Sequence, residues 1–165
     1  MADTYSFDIV SDVDMQEADN AVQQASKEIQ QRYDLKATNS SVELDRKEKT
    51  IAVESGSEFN LKQVIDVLES KLVKRGIALK ALKYGDVEQG TKGSARQKIT
   101  LQSGIDKENA KKVTKIVKLL GLKVQAQIQD NQVRITGKDK DQLQQVIQAL
   151  KTADLDFAMQ FTNYR

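Results

Sequence analysis

The sequence predicts an α+β protein built from two βαββαβ units, each a sheet with helices on one face. The main observation is a repeat: the order strand, helix, strand, strand, helix, strand can be read from residues 6–84 and again from residues 94–165. The second observation is length, because 165 residues suffice for two small units. We therefore expect a first unit at residues 1–84, a flexible connection at 85–93 and a second unit at 94–165.

Four segments carry apolar residues at intervals of three and four, the spacing of an amphipathic helix. The predicted helices begin at Asp12 or Asp14, after Ser57, at Asp106 and after Asp139, and these residue types favour the N-cap position. One apolar face per helix is what packing on a sheet requires. The helix residues predicted to face the core are Met15, Ala18, Val22, Ala25, Ile29, Leu61, Val64, Ile65, Leu68, Leu72, Ala110, Val113, Ile116, Val117, Leu120, Leu143, Val146, Ile147 and Leu150.

The strand segments follow a period of two residues, with apolar side chains on one side and polar side chains on the other. Arg134 and Thr136 are expected on the polar side, together with the glutamines of segment 123–129. Turns are expected at Asp130-Asn131 and at Gly137-Lys138. The strand residues predicted to face the core are Phe7, Ile9, Val42, Leu44, Ile51, Val53, Ile99, Leu101, Val124, Ala126, Ile128, Val133 and Ile135.

The composition excludes several mechanisms. The chain has no cysteine and no histidine, so it offers no thiolate, no zinc–thiolate site and no catalytic triad. No segment resembles a calcium-binding loop, and we predict neither a metal nor a cofactor. The sequence shows no secretory signal and no apolar run near the ~18 residues of a membrane span. We expect a soluble cytoplasmic protein that is not an enzyme and does not contact membranes.

The net charge of +2 conceals an uneven distribution along the sequence. Residues 1–93 contain 13 Lys and Arg against 17 Asp and Glu, whereas residues 94–165 contain 13 against 7. The predicted third helix has a stripe of lysines opposite its apolar face, namely Lys107, Lys111, Lys115 and Lys118. Lysines one turn apart are typical both of a solvated helix face and of a phosphate-contacting surface.

The candidate binding residues follow from this charge pattern. They are Lys111, Lys115, Lys118, Lys123 and Arg134, with Lys74 and Arg75 next. Their cationic groups would contact phosphates, and amide and hydroxyl groups of the polar sheet face would hydrogen-bond to bases. Lys98 and Gln127 are expected on that polar face, which is poor in acids. An exposed antiparallel face is also polar when it binds nothing.

Two familiar nucleotide and RNA motifs are absent. Gly85 and Gly90 have the glycine spacing of a P-loop, but Thr91 stands where lysine is required, and the next predicted element is a strand. RNA-recognition domains share the βαββαβ order and stack bases on aromatic residues of their central strands. In the corresponding strands only Phe7 is aromatic, and aromatic residues make up 5% of the chain. The best remaining stacking residues are Tyr33 and Tyr164.

Several motifs together resemble the YajQ family of bacterial proteins. They are Ser6-Phe-Asp-Ile-Val-Ser11 with Asp14-Met-Gln-Glu17, Arg32-Tyr-Asp-Leu-Lys36, Lys74-Arg-Gly76, Leu122-Lys-Val-Gln-Ala-Gln-Ile-Gln129, Val133-Arg-Ile-Thr-Gly137 and Gln160-Phe-Thr-Asn-Tyr-Arg165. The resemblance extends over essentially the whole chain. Leu35 stands where family members often have Phe, and Ala158-Met159 replaces a common Pro-Leu.

The resemblance implies two tandem ferredoxin-like domains that exchange their N-terminal strands. Residues 6–10 would then complete the second sheet and residues 98–101 the first, so that Asp8 and Lys98 trade places. The resemblance also implies nucleotide binding, with GTP, ATP or cyclic di-guanylate as the ligand and RNA as a further partner. Since the family has no agreed binding motif, the candidate residues depend on charge and alternation alone.

We interpret the sequence as that of a non-catalytic protein that binds a nucleotide or a nucleic acid, with RNA as one candidate. The alternative is a protein-interaction adaptor, whose acidic and basic halves bind protein partners and whose nucleotide is a regulator. A third hypothesis is a Mg²⁺-dependent hydrolase that uses Asp8, Asp12 and Asp14, although helix capping already explains Asp12 or Asp14.

Overall fold

The computed structural model describes residues 4–165, and over that range it contains four α-helices and nine strands. The elements are β1 (Tyr5–Val10), α1 (Met15–Gln31), β2 (Ser41–Asp45), β3 (Thr50–Ser55), α2 (Glu58–Lys74), β4 (Leu82–Tyr84), β5 (Glu88–Gln89), β6 (Ala95–Leu101), α3 (Lys107–Leu119), β7 (Val124–Gln129), β8 (Gln132–Gly137), α4 (Lys140–Thr152) and β9 (Gln160–Thr162). Among these residues, no helix combines the length and apolarity needed to cross a membrane.

The four helices begin at the capping residues that the sequence predicts. Asp14 accepts hydrogen bonds from the backbone N–H groups of the first turn of α1, and Ser57 accepts one from Asn60 at the start of α2. Asp106 and Asp139 have the same role at α3 and α4. Each cap satisfies N–H groups that have no partner inside the helix.

β1 is a central strand of a four-stranded antiparallel sheet with the order β7-β8-β1-β9. It pairs with β8, where Phe7 lies opposite Ile135, and with β9, where Ile9 lies opposite Phe161. The hairpin between β7 and β8 turns at Asp130, whose φ of 52° is a left-handed conformation that Asp tolerates well. The N-terminal strand therefore organises a sheet whose other strands come from residues 124–162.

β6 has the corresponding central position in the second sheet, which has the order β2-β3-β6-β4. Ile99 of β6 lies opposite Ile51 of β3 and opposite Tyr84 of β4. The first strand of each sequence repeat thus lies in the sheet formed by the remaining strands of the other repeat. The architecture is a duplicated ferredoxin-like α+β fold, and this predicted fold class is confirmed.

The connection at residues 85–93 contains regular structure. Glu88 and Gln89 of β5 pair with Arg96 and Ala95 of β6. Gly90 is followed by a single 3₁₀ turn, Thr91–Gly93, and then by the strand β6, so no α-helix begins where a P-loop would need one. The rejection of a P-loop is consistent with this order of elements.

The chain divides into two compact units. One is Val13–Gln102, here called the α1–α2 unit, and the other is Met1–Asp12 with Ser103–Arg165, here called the α3–α4 unit. The α1–α2 unit has 15 Lys and Arg against 14 Asp and Glu, and the α3–α4 unit has 11 against 10, a net charge of +1 in each. The acidic and basic halves of the linear sequence therefore do not correspond to an acidic and a basic unit.

The predicted apolar faces form the core of the α3–α4 unit, with two exceptions. Phe7, Ile9 and Ile135 of the sheet are buried against the inner faces of α3 and α4. Leu120 is 37% exposed because α3 ends at Leu119, so its side chain lies beyond the last helical turn. Ile128 is 46% exposed at the hairpin end of the edge strand β7, although Val124 and Ala126 of that strand pack on the core.

Candidate functional site

An ion pair between Asp8 and Arg134 organises the polar face of the sheet in the α3–α4 unit. Arg134 Nε donates to Asp8 Oδ1 at 2.8 Å, and Arg134 Nη2 donates to Asp8 Oδ2 at 3.3 Å. Asn163 Nδ2 also donates to Asp8 Oδ2, at 2.8 Å. Asp8 is only 3% exposed, and the hydrogen bond from Arg134 keeps the pKa of its carboxyl below the ordinary value. The guanidinium of Arg134 therefore has a structural partner.

This pair changes the predicted polar face. If the second repeat formed a sheet by itself, Lys98 would lie on the same polar face as Arg134. In the structure, Lys98 lies on β6, opposite Ala52 of the α1–α2 unit. The strand beside Arg134 is β1, which brings the carboxylate of Asp8 instead. Because this carboxylate neutralises the guanidinium, Arg134 is less suited to bind phosphate than the sequence predicts.

A pocket of about 580 Å³ lies where β7 begins, β8 ends and α4 starts. We call it the β7-edge pocket. Its lining residues are Thr4, Lys123, Val124, Gln125, Thr136, Gly137, Lys138, Asp139 and Gln142. It contains one of the predicted binding residues, Lys123, and adds a second lysine, Lys138.

Two lysines, Lys123 and Lys138, line the β7-edge pocket. Both are exposed, and within residues 4–165 neither ammonium group forms an ion pair. The carboxylate of Asp139 accepts a hydrogen bond from the Asp141 N–H at 2.9 Å, so the end of α4 is already capped. The Lys123 N–H donates to Gln142 Oε1 at 2.7 Å, which leaves the amide nitrogen of Gln142 as a donor for a ligand.

The lysine stripe lies on the solvent-facing side of α3. Lys111, Lys115 and Lys118 are exposed, opposite the buried residues Ala110 and Val113. This helix face is convex and offers a row of charges, with no walls to enclose a small ligand. It is suited to an extended polyanion rather than to a single nucleotide.

Lys74 and Arg75 belong to the α1–α2 unit, at the C-terminal end of α2. Arg75 Nη1 lies 3.7 Å from Glu17 Oε2, so its charge has an acidic neighbour. Lys74 is exposed. The predicted residues are therefore distributed over several surfaces: a helix face, a pocket, a sheet face and the end of α2.

The three carboxylates of the hydrolase hypothesis have local partners. Asp8 binds Arg134 and Asn163, and Asp12 Oδ1 accepts a hydrogen bond from the Gly104 N–H at 3.1 Å. Asp14 caps α1. No group of three acidic residues that could hold a metal ion occurs in the described part of the chain. Hydrogen bonding accounts for these residues, and the geometry lends the hydrolase hypothesis no support.

The sequence analysis names Lys123 as a candidate but not Lys138, which the structure places in the same pocket. Gly137-Lys138 is typical of a turn, and nothing in its spacing indicates that it lies beside the start of β7. The sequence feature that could have indicated Lys138 is its position between the end of a predicted strand and the helix N-cap Asp139. Gly137 itself has little room, since a Cβ there would lie 3.1 Å from Val124 Cγ1 and 3.3 Å from the Lys123 carbonyl oxygen.

The α3–α4 unit thus has a pocket lined by two lysines that form no ion pair within the described residues, an arrangement typical of proteins that bind anionic ligands. A family model described as nucleotide-binding protein YajQ-like matches residues 5–165, and the chain belongs to this family. It is 58% identical to a protein of Chloroherpeton thalassium and 53% identical to one of Alkaliphilus oremlandii, in both cases over the whole of both chains. It is 56% identical to a protein of Trichlorobacter lovleyi over 97% of this chain and 98% of the relative. All three relatives are named nucleotide-binding protein.

Proposed function

We propose that this protein binds a nucleotide through its phosphates in the β7-edge pocket and releases it chemically unchanged. The observation that carries this proposal is the presence of two ammonium groups without ion-pair partners, Lys123 and Lys138, in one pocket of the described chain. Membership of a nucleotide-binding family supports the ligand class. A cytoplasmic location, where nucleoside triphosphates are abundant, is part of the proposal.

The size and the chemistry of the pocket support this assignment. Pockets for small ligands have volumes of about 300–1,000 Å³, and the volume here is about 580 Å³. Two ammonium groups can offset the negative charge of phosphates without help from a metal or a histidine. Gln125, Thr136 and Gln142 add hydrogen-bond donors for phosphate or sugar oxygens.

Three nucleotides are candidates, namely GTP, ATP and cyclic di-guanylate. They share the phosphate groups that lysines recognise, so the β7-edge pocket favours the class and does not rank its members. Competition among the three ligands for one labelled nucleotide ranks them directly.

RNA binding is a second proposed function, and the lysine stripe of α3 specifically favours it. A row of ammonium groups about one helical turn apart, roughly 5.4 Å, can contact successive phosphates of one strand. Such contacts do not read sequence and weaken with added salt. We expect RNA to lie along α3 and a mononucleotide to enter the β7-edge pocket.

Isothermal titration calorimetry with a charge-reversed pair tests the pocket. The variant is Lys123→Glu with Lys138→Glu, and the control is Lys27→Glu with Lys62→Glu, which changes the net charge equally on exposed helix positions of the α1–α2 unit. We expect nucleotide affinity to fall at least about tenfold in the pocket variant and to stay within about twofold of wild type in the control. Equal weakening in both variants would indicate a general charge effect and contradict the proposal.

The adaptor alternative predicts a different result. Its basis in the sequence was the contrast between an acidic and a basic half, whereas both compact units have a net charge of +1. A protein partner that remains bound at high salt and in the absence of nucleotide would favour the adaptor. Loss of that partner on removal of nucleotide would indicate that nucleotide binding comes first.

A further inference from the structure

A second cavity of the α3–α4 unit lies among β1, α4 and the C-terminal residues. Its volume is about 400 Å³. Tyr5 and Tyr164 line it with aromatic rings, Leu143 contributes an apolar wall, and Lys140 and Arg165 bring positive charge. We call it the C-terminal pocket. It combines aromatic faces with cations, which the β7-edge pocket does not.

Tyr164 is exposed and yet fixed in place. Its side chain is 61% exposed, and its ring centroid lies 6.1 Å from that of the buried Phe7, at an interplanar angle of 32°. The residues on both sides of it are anchored. Asn163 donates to Asp8 at 2.8 Å, and the backbone of Arg165 exchanges two hydrogen bonds with Ser6, at 3.1 and 3.0 Å. The ring therefore lies next to Phe7 while more than half of its surface is exposed to solvent.

A supported, exposed ring is a good stacking platform. A planar ligand can stack on it with little loss of side-chain conformational entropy, because the ring is already held in place. The two cations of this pocket each have a neighbour in the structure. Lys140 Nζ lies 4.9 Å from the centroid of the Tyr5 ring, within the range of a cation–π interaction. The positive charge of Arg165 is one of the influences that lower the pKa of the Asp8 carboxyl.

We propose that the C-terminal pocket binds the base of the nucleotide, with Tyr164 as the stacking residue. Gln144 supplies an amide that can hydrogen-bond to the edge of the base. Lys140 and Arg165 favour a ligand that carries negative charge next to its planar part. This inference rests on the proposed function and adds to it a site for the base, separate from the lysines that bind phosphate.

Two pairs of consecutive residues are divided between the two pockets. Thr4 lines the β7-edge pocket and Tyr5 lines the C-terminal pocket, and the same division holds for Asp139 and Lys140. Residues that follow one another in the chain thus line different pockets, at the start of β1 and at the start of α4.

Affinity measurements with three probes distinguish binding at the base site from binding at the phosphate site. The probes are guanosine, GTP and inorganic triphosphate, and the variants are Tyr164→Leu and Tyr164→Phe. Tyr33→Leu is the control, because Tyr33 is an exposed tyrosine of the α1–α2 unit. We expect Tyr164→Leu to weaken guanosine and GTP roughly tenfold or more, and to leave triphosphate binding unchanged. Tyr164→Phe and Tyr33→Leu are expected to bind all three probes as wild type does.

Tyrosine ring NMR gives a second readout that does not depend on the variants. With labelled tyrosine, guanosine is expected to shift the ring signals of Tyr164 and to leave those of Tyr33 and Tyr84 in place. A wild-type protein that binds GTP while Tyr164 does not respond, or a Tyr164→Leu variant with unchanged guanosine affinity, would overturn the base site alone. A wild-type protein that binds none of GTP, ATP, cyclic di-guanylate and inorganic triphosphate would overturn the proposed function itself. A short oligonucleotide that shifts Tyr164 when guanosine does not would assign the pocket to RNA and likewise overturn the mononucleotide site.

Discussion

Asp8 on β1 and Arg134 on β8 form a two-point ion pair between residues that are 126 positions apart in the sequence. Their Cα atoms are direct partners in the antiparallel register of the two strands. The pair therefore connects the N-terminal strand to the hairpin of the α3–α4 unit. Asn163, which also donates to Asp8, extends this connection to the segment after β9.

Replacing Asp8 by Ala is expected to destabilise the protein by about 1–3 kcal/mol, because Arg134 and Asn163 lose their acceptor. Urea unfolding monitored by circular dichroism measures this difference. Asp19→Ala is a suitable comparison, since its partner Arg46 is more exposed and an exposed ion pair contributes only about 0–1 kcal/mol. Equal effects of the two substitutions would contradict the structural role of the Asp8 pair.

The Asp8 carboxylate is also expected to make the free energy of unfolding decrease in acid. The hydrogen bond from Arg134 lowers the pKa of Asp8 in the folded state. The resulting stabilisation is complete above the unfolded carboxyl pKa of about 4 and is lost as the pH falls through the lower folded value. The unfolding free energies of wild type and Asp8→Asn should therefore differ most near neutral pH and converge in strong acid. A difference that grows as the pH falls below about 4 would contradict the sign.

Asp139→Asn is expected to strengthen nucleotide binding. Asn is as good an N-cap as Asp, so α4 should keep its stability, but the β7-edge pocket loses the one carboxylate among its described lining residues. Calorimetry should show GTP affinity increased by about two- to fivefold at low salt. Asp106→Asn makes the matching change at the cap of α3, and we expect it to leave the affinity unchanged. No gain for Asp139→Asn would indicate that phosphate does not enter this pocket.

Neutralising the stripe of α3 should change how RNA binding depends on salt. For a single strand, each lost phosphate contact lowers the slope of log affinity against log salt by about 0.7. The triple variant of Lys111, Lys115 and Lys118 to Gln should therefore lower the slope by about 2. A second triple variant, with Lys27, Lys47 and Lys62 changed to Gln, removes the same charge from the α1–α2 unit. Identical slopes in the two variants would show that RNA does not lie along α3.

The strand order makes a prediction about fragments. Residues 13–102 contain every strand and helix of the α1–α2 unit, including β6, and are expected to fold alone. Residues 94–165 lack β1, the strand that joins β8 to β9, and are expected to remain unfolded. Far-ultraviolet circular dichroism and amide NMR dispersion distinguish these outcomes. A folded 94–165 fragment would mean that its own first strand can replace β1.

Local features of the fold could be predicted because they depend on neighbouring residues. Apolar spacing located the four helices, and the capping residues Asp14, Ser57, Asp106 and Asp139 gave their starts. The strand pattern placed Phe7 and Ile99 in the core, where each is no more than 1% exposed. The alternation of apolar and polar residues in a strand is the same in either sheet. Periodicity alone therefore does not indicate that β1 lies beside β8 or that β6 lies beside β3.

The candidate site was harder to predict for the same reason. The charge pattern predicts Arg134 as a candidate, but it cannot show that Asp8 lies beside it, because that neighbour depends on the strand order. The charge pattern predicts Lys123 as a candidate, whereas Lys138 lines the same pocket because β7 pairs with β8. Contacts made across sheets and between distant segments leave little trace in the local sequence.

The central claim is that the phosphates of a nucleotide bind in the β7-edge pocket. A titration of uniformly ¹⁵N-labelled protein with GTP, followed by ¹H–¹⁵N correlation spectra, tests it most directly. We predict that the largest shifts occur at the backbone amides of Lys123, Gln125 and Lys138, with saturation at a single affinity. Spectra that do not change, or shifts confined to residues 13–102, would contradict the account.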